Sequence, residues 1–329
     1  MRRLALVAVA ALVAAPVATS CSKQRSAPRQ EERSSQRGRR VAAGDAGAPR
    51  PMASASFAVD PHVELRAEWG AASQGGWRRV SFLGSAGDRI PALFRAVPEK
   101  GRFPAVILGH GHGGDKRSMA DFFGGAFAGL RVHLLAVDHP FHGHQRRQGR
   151  EDICASEPEV LVRRWSRAVR DLRHAVRLLR QHPRVDPKRI GYLGFSLGAV
   201  LGALTCAHEP GLAAAALISP AADWKLLAAS RSTWKIGWNT RLLPRWLESP
   251  RLRRLLATVD PARTVRNFAP RPLLIVVGER DRVIRPEAGL ALAEAAGRGK
   301  VLWKHPAGHG PPGTLRQRVA RWLSRQLTR

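Results

Sequence analysis

A chain of 329 residues, 44% of them hydrophobic, has material for a real core and room for one large α/β domain with an appendage, or for two small domains. Its formal charge of +30 is extreme, but the excess is spread along the chain. No Lys/Arg block interleaves with aromatic residues as a single-strand-binding groove requires, so nucleic acid is not the expected partner, and the basic surface instead favours weak adhesion to anionic lipid or cell-wall polymer.

Arg2 and Arg3 precede the apolar run "LALVAVAALVAAPVAT", and small residues then lead to Cys21. These are the three regions of a secretory signal peptide, expected over residues 1–21, and the run is shorter than the ~20 residues of a membrane-spanning helix. "VATSC" also resembles a lipoprotein signal, with Ala18 where such signals most often carry Leu. Two outcomes are open: an exported protein tethered to a bacterial envelope through a lipid on Cys21, or one cleaved and released as a periplasmic or secreted protein. Residues 22–56 are polar, basic and rich in Ser, Gly and Pro without an apolar period, which predicts a disordered linker. Removing Cys21 leaves Cys154 and Cys206, which either pair as a disulfide or stay as an unrelated loop thiol and a buried helical one.

The folded domain is expected over residues 57–329. "WRRVSFLG" and "RIPALFRAV" pattern as a pair of strands, and "FPAVILG", "VHLLAVD", "RIGYLGF", "AAAALIS", "PLLIVVG" and "KVLWKH" are short apolar runs of the buried-strand kind. Between them "EPEVLVRRWSRAVRDLRHAVRLLRQH" places Leu161, Trp165, Val169, Leu172, Val176 and Leu179 on one helical face, and the final segment does the same with Leu315, Val319, Leu323 and Leu327. Such alternation predicts an α/β fold: a mostly parallel central sheet with helices on both faces and its site at the carboxyl ends of the strands. Residues 223–260 break the alternation with Trp224, Trp234, Trp238 and Trp246 among basic residues. They are expected to form a small helical cap, with Trp224, Trp234 and Trp238 lining an apolar substrate pocket; the alternative is an insertion whose indoles only pack onto the sheet domain.

The most specific chemical signal is "GYLGFSLGAV", in which Gly194, Ser196 and Gly198 spell G-x-S-x-G directly after an apolar strand and before an Ala/Leu/Val helix. A sharp strand-to-helix turn there exposes Ser196 at the helix N-terminus, where the dipole favours an oxyanion. A serine hydroxyl needs a base and an orienting carboxylate to become a nucleophile. Asp281, after "PLLIVVG", and His309, after "KVLWKH", supply them in the order Ser, Asp, His, with Glu279 and His305 as competitors.

From about Trp77 onward the chain thus resembles an α/β-hydrolase of the esterase and dienelactone-hydrolase-like group. The family's His-Gly-x-Gly-Gly turn matches residues 110–114, and its Asp-x-x-x-His-Gly turn matches Asp138, His142 and Gly143. The resemblance implies that the backbone N–H groups of His112 and Leu197 bind the oxyanion, that a small-molecule ester is the substrate, and that no cofactor is used. Dienelactone hydrolases proper carry cysteine where Ser196 stands, so their substrate does not transfer. "GHGHGGD" and "HPFHGH" also gather His110, His112, His139, His142 and His144, but a catalytic zinc would leave the ordered Ser, Asp and His without a purpose, so no metal is expected. A peptidase or amidase on the same machinery, and a catalytically silent basic surface binder, are the rival functions.

Overall fold

The computed structural model describes residues 55–73, 75–143, 152–154, 157–230 and 243–329. Trp234, Trp238, His144, Cys21, the signal-peptide segment and nearly all of the linker lie outside the described residues.

Among the described residues nine strands form one sheet: β1 (Glu68–Ala72), β2 (Trp77–Leu83), β3 (Arg89–Arg95), β4 (Phe103–Gly109), β5 (His133–Val137), β6 (Val185–Phe195), β7 (Ala214–Ile218), β8 (Leu273–Gly278) and β9 (Lys300–His305). Their order is β1-β2-β3-β5-β4-β6-β7-β8-β9. β1, β2, β3 and β5 pair antiparallel in succession, and every pairing from β5/β4 to β8/β9 is parallel. β1 was not anticipated, because "EWGAA" is almost wholly exposed and carries no alternating apolar face.

Among the described residues eight α-helices surround the sheet: α1 (Lys116–Gly124), α2 (Pro158–Gln181), α3 (Leu197–His208), α4 (Trp224–Ala228), α5 (Leu243–Glu248), α6 (Pro250–Ala257), α7 (Pro286–Ala295) and α8 (Gly313–Thr328). Alternate residues of β4 divide between two cores, as the pleat requires. Ala105 and Ile107 join the side covered by α2, α3 and α7, while Val106 and Leu108 join the side covered by α1 and α8. Both faces are therefore buried, which is why β4, β5, β7 and β8 read as unbroken apolar runs. The six anticipated residues of α2 and the four of α8 are all buried. Each contributes about 2 kcal/mol of burial, offset largely by chain entropy.

The polar side of α2 has its own task. Arg170, Arg173 and Arg177, a turn apart, donate to the carbonyls of Ser56, Phe57 and Asp60 and hold the start of the domain along the helix. Between β7 and β8 stand α4, α5 and α6, in the region expected to form a cap. Cys154 and Cys206 are both free and buried, which leaves the disulfide unformed.

The sheet order reverses at β4. The chain leaves β4 toward β5 on one side and returns to β6 on the other, so the loops after β4 and β6 flank a crevice at the carboxyl edge.

Candidate active site

Ser196 sits at that crevice, between the end of β6 and the first turn of α3, with φ 54° and ψ −119°. This is a costly conformation for a side-chain-bearing residue and persists only where the surroundings impose it. The imposing contacts are visible: a Cβ on Gly194 would lie 2.4 Å from the Gly198 carbonyl oxygen, and one on Gly198 would lie 2.2 Å from that of Gly109. Only glycine lets the elbow close and lets the loop after β4 press against α3. The Ser196 N–H donates to the Ile218 carbonyl at 2.9 Å, tying the elbow to β7.

Asp281 and His309 come to Ser196 from two further strand ends. Asp281 follows β8 and is held by the N–H groups of Val283 (2.8 Å) and Ile284 (3.0 Å), which both donate to its Oδ1. Its other oxygen accepts from His309 Nδ1 at 2.7 Å, and His309 Nε2 lies 2.9 Å from Ser196 Oγ. With Nδ1 protonated by this pairing, Nε2 is the acceptor facing the serine hydroxyl. The Ser219 hydroxyl donates to the His309 carbonyl at 2.8 Å and steadies the loop. The competitors stand apart: Glu279 is exposed, and His305 is buried at the end of β9 with neither ring nitrogen partnered among the described residues.

The loop after β4 carries His112 beside the elbow. A Cβ on Gly111 would be 3.3 Å from Ser196 Cβ, so the backbone there touches the nucleophile's side chain. Neither the His112 nor the Leu197 N–H donates to a backbone carbonyl among the described residues, so both are available to an anion. The histidine rings serve the loop in different ways. His110 is 1% exposed. Its Nδ1–H donates to the Gly111 carbonyl (2.8 Å), and its Nε2 accepts from the His139 backbone N–H (3.0 Å). Both nitrogens are therefore spent on backbone. Burial is the main cause that drives the His110 pKa down from 6.5 to about 3, with the nearby His142 second. His139 is likewise driven well down by burial. His142 Nδ1 meets the Pro140 carbonyl at 3.0 Å.

Asp138, at the end of β5, accepts from the Lys116 backbone N–H and from Lys116 Nζ, each at 2.7 Å, and so joins the first residue of α1 to the sheet. Its pKa is nevertheless raised, because desolvation outweighs these bonds. His112 Nε2 meets Asp152 Oδ1 at 3.0 Å and Oδ2 at 3.1 Å. This pairing spans 40 residues and has no sequence signal, since Asp152 sits in an irregular polar loop. Trp224 packs α4 onto α2, its ring centroid 5.3 Å from that of Trp165 and its Nε1–H on the Leu256 carbonyl. It borders a cavity of about 10 Å³ with Trp165, Val200, Leu227 and Asp260, the space of a single water.

A nucleophile elbow at the topological switch point of a mostly parallel sheet defines an α/β-hydrolase. Residues 102–269 match the hydrolase family described as serine aminopeptidase, S33, and the chain belongs to that family. Its relatives include the putative hydrolase YtaP of Bacillus subtilis (strain 168), 24% identical over 264 residues that span 73% of this chain and 84% of the relative. Among solved structures, acetyl xylan esterase 1 from Thermoanaerobacterium sp. JW/SL YS485 matches with a TM-score of 0.66 at 20% identity, over 80% of this chain and 89% of that one. The acetyl xylan esterase from Paenibacillus sp. R4 matches with a TM-score of 0.67 at 15% identity and the same coverage. At these identities the likeness to the solved structures is one of fold.

Proposed function

We propose that this hydrolase is a serine carboxylesterase working through an acyl-enzyme. The observation that carries the reading is His309 standing between Ser196 Oγ at 2.9 Å and Asp281 Oδ2 at 2.7 Å, with the serine held on a strained elbow. In this reading Ser196 Oγ attacks the ester carbonyl as His309 Nε2 takes its proton. Asp281 stabilises the imidazolium and keeps it turned to the serine. The N–H groups of His112 and Leu197 take the developing negative charge, His309 protonates the departing alcohol, and water activated by the same imidazole then releases the acid.

The family description favours a second reading, a peptidase on the same residues. An aminopeptidase must also hold a substrate ammonium, and beside Asp281 the exposed carboxylate of Glu279 is flanked by the exposed Arg280 and Arg282, while the exposed Glu287 is paired with Arg285 at 3.3 Å. That basic rim suits a neutral or anionic ester better than a cationic peptide terminus. A silent surface binder would have no use for the complete relay. A fluorophosphonate probe is expected to label the wild type and not Ser196→Ala, and absent or surviving label overturns the serine mechanism. A panel of esters beside aminoacyl amides separates the two hydrolytic readings, since faster turnover of the amides would make it a peptidase.

Export, with Cys21 lipidated or the leader cleaved, rests on the basic, apolar and small-residue order of residues 1–21. Among the described residues no helix is long and apolar enough to cross a membrane. The mass of the mature N-terminus decides it, and an unmodified Cys21 removes the anchor.

A further inference from the structure

One cluster of ligand-type side chains stands outside the Ser196 relay. His112, Asp152 and Cys154 each present one donor atom, and the three donors lie within 4.8 Å of one another. His112 and Cys154 are mostly shielded, whereas the Asp152 side chain is 35% exposed and forms the open edge of the group. We propose that these three side chains form a binding site for a thiophilic divalent cation of the zinc type, and that its occupation slows the enzyme.

The donor set selects the ion. One imidazole nitrogen, one carboxylate oxygen and one sulfur suit zinc, whereas magnesium and calcium prefer oxygen throughout. Three protein ligands leave a fourth tetrahedral position for water, reached past Asp152. The spacing suits it as well. Ligands at about 2.0–2.3 Å from a tetrahedral centre lie roughly 3.4–3.7 Å apart. His112 Nε2 and Asp152 Oδ1 are 3.0 Å apart, so an ion replacing the proton between them spreads that pair only slightly. Cys154 Sγ, within 4.8 Å of the other two donors, has to approach by at most about 1 Å to reach this spacing, and the Cys154 N–H already on Asp152 Oδ1 at 2.8 Å keeps it beside the carboxylate. Binding through Nε2 takes the neutral His112 ring with its proton on Nδ1, and releases the Cys154 thiol proton to solvent, leaving imidazole and thiolate as ligands. His110 cannot compete, because both of its nitrogens are held by backbone groups.

The consequence for turnover follows from where His112 sits. Its ring would be fixed by the ion while its own N–H belongs to the proposed oxyanion site, so this part of the inference rests on that reading. A shift of the loop that weakens one donor is expected to lower kcat by about tenfold, less than the ~100-fold or more of removing a donor outright.

The test uses the full chain carrying Ser196→Ala, which makes binding independent of catalysis. Titration with Co²⁺ is expected to give a thiolate-to-cobalt charge-transfer band at one ion per chain. The band should vanish in Cys154→Ser and persist in Cys21→Ser and Cys206→Ser. No band, or a band that survives Cys154→Ser, overturns the site. Should Cys154→Ser fail to fold, Asp152→Asn is expected to weaken Zn²⁺ at least tenfold in competition with a chromophoric chelator, and unchanged affinity overturns the site equally. On the active enzyme, Zn²⁺ that binds without slowing ester turnover overturns the inhibitory consequence. Failure of the fluorophosphonate labelling would sink the esterase reading and leave the cobalt result standing.

Discussion

His309, on the loop after β9, and His110, on the loop after β4, have opposite surroundings. His309 has a carboxylate on one nitrogen, a hydroxyl on the other and a side chain 19% exposed to water, so a proton arriving on it meets a counter-charge. His110 has a carbonyl on one nitrogen, a backbone N–H on the other and the rings of His139 and His142 4.3 and 5.0 Å away, so a proton arriving on it meets burial first and His142 second, which outweigh the Gly111 carbonyl and Asp115. Under the proposed mechanism the first imidazole changes its charge during turnover, while the surroundings of the second keep it neutral. Histidine identity therefore predicts nothing until the partner on each nitrogen is known.

Removing the counter-charge is the most direct way to break this comparison. Asp281→Asn preserves shape but takes the negative charge from beneath the imidazolium and presents the wrong partner to Nδ1. It is expected to lower kcat roughly 10⁴-fold, read by steady-state ester hydrolysis. The melting temperature should change by only a few degrees, because the amide oxygen can still accept the Val283 and Ile284 N–H groups. A loss below about tenfold would show that Asp281 does not serve the histidine.

The His309 side of this comparison was legible in the chain. β4, β7 and β8 announce themselves because burial on both faces leaves no polar position, and Asp281 follows β8; Ser196 follows β6, buried only in its second half, and His309 follows β9, where the expected buried strand is instead an exposed edge with Val301 and Leu302 open to solvent. The His110 side was not. Its acceptor role depends on the His139 backbone, 29 residues away, and the partner of His112 lies 40 residues away in a loop without period. Hydrogen bonds between irregular segments leave no periodic trace, whereas burial does. β1 escaped for the same reason, since an exposed edge of Gly and Ala has no apolar face to repeat. The indole of Trp224, expected at a substrate pocket, has its Nε1–H on the Leu256 carbonyl 32 residues away, a bond that likewise leaves no trace in the sequence.

Acid sharpens the comparison by charging the group that is built to stay neutral. The folded pKa of His110 is about 3 against an ordinary 6.5, with burial the first cause, and that of His182 is lowered to about 4, again by burial first. In each case the unfolded chain binds the proton first, so stability is full above pH 6.5 and is lost as pH falls toward the folded value. For a deeply buried group such as His110 the loss is roughly 2 kcal/mol by about pH 5; for the half-exposed His182 the direction is the same and the size smaller. Urea unfolding across this range is expected to show a falling midpoint, and His110→Gln, which does not titrate, should flatten the slope while lowering the stability at neutral pH. An unchanged slope in that variant would mean that His110 already titrates as an exposed histidine does.

The smallest effect separates the backbone of His112 from its side chain. The proposed oxyanion donor is the N–H, which every residue but proline supplies, while the ring only ties the loop to Asp152 through bonds of 3.0 and 3.1 Å. His112→Ala keeps the donor and loses the tie, so kcat is expected to fall by about three- to tenfold, the equivalent of roughly 1 kcal/mol. Asp152→Asn should fall no further, because it removes the same tie from the other end, and the double variant should match the worse single one. In metal-free buffer a chelator is expected to leave wild-type turnover unchanged. A drop approaching that of Asp281→Asn in either single variant would move the ring of His112 from holding the loop to taking part in the reaction.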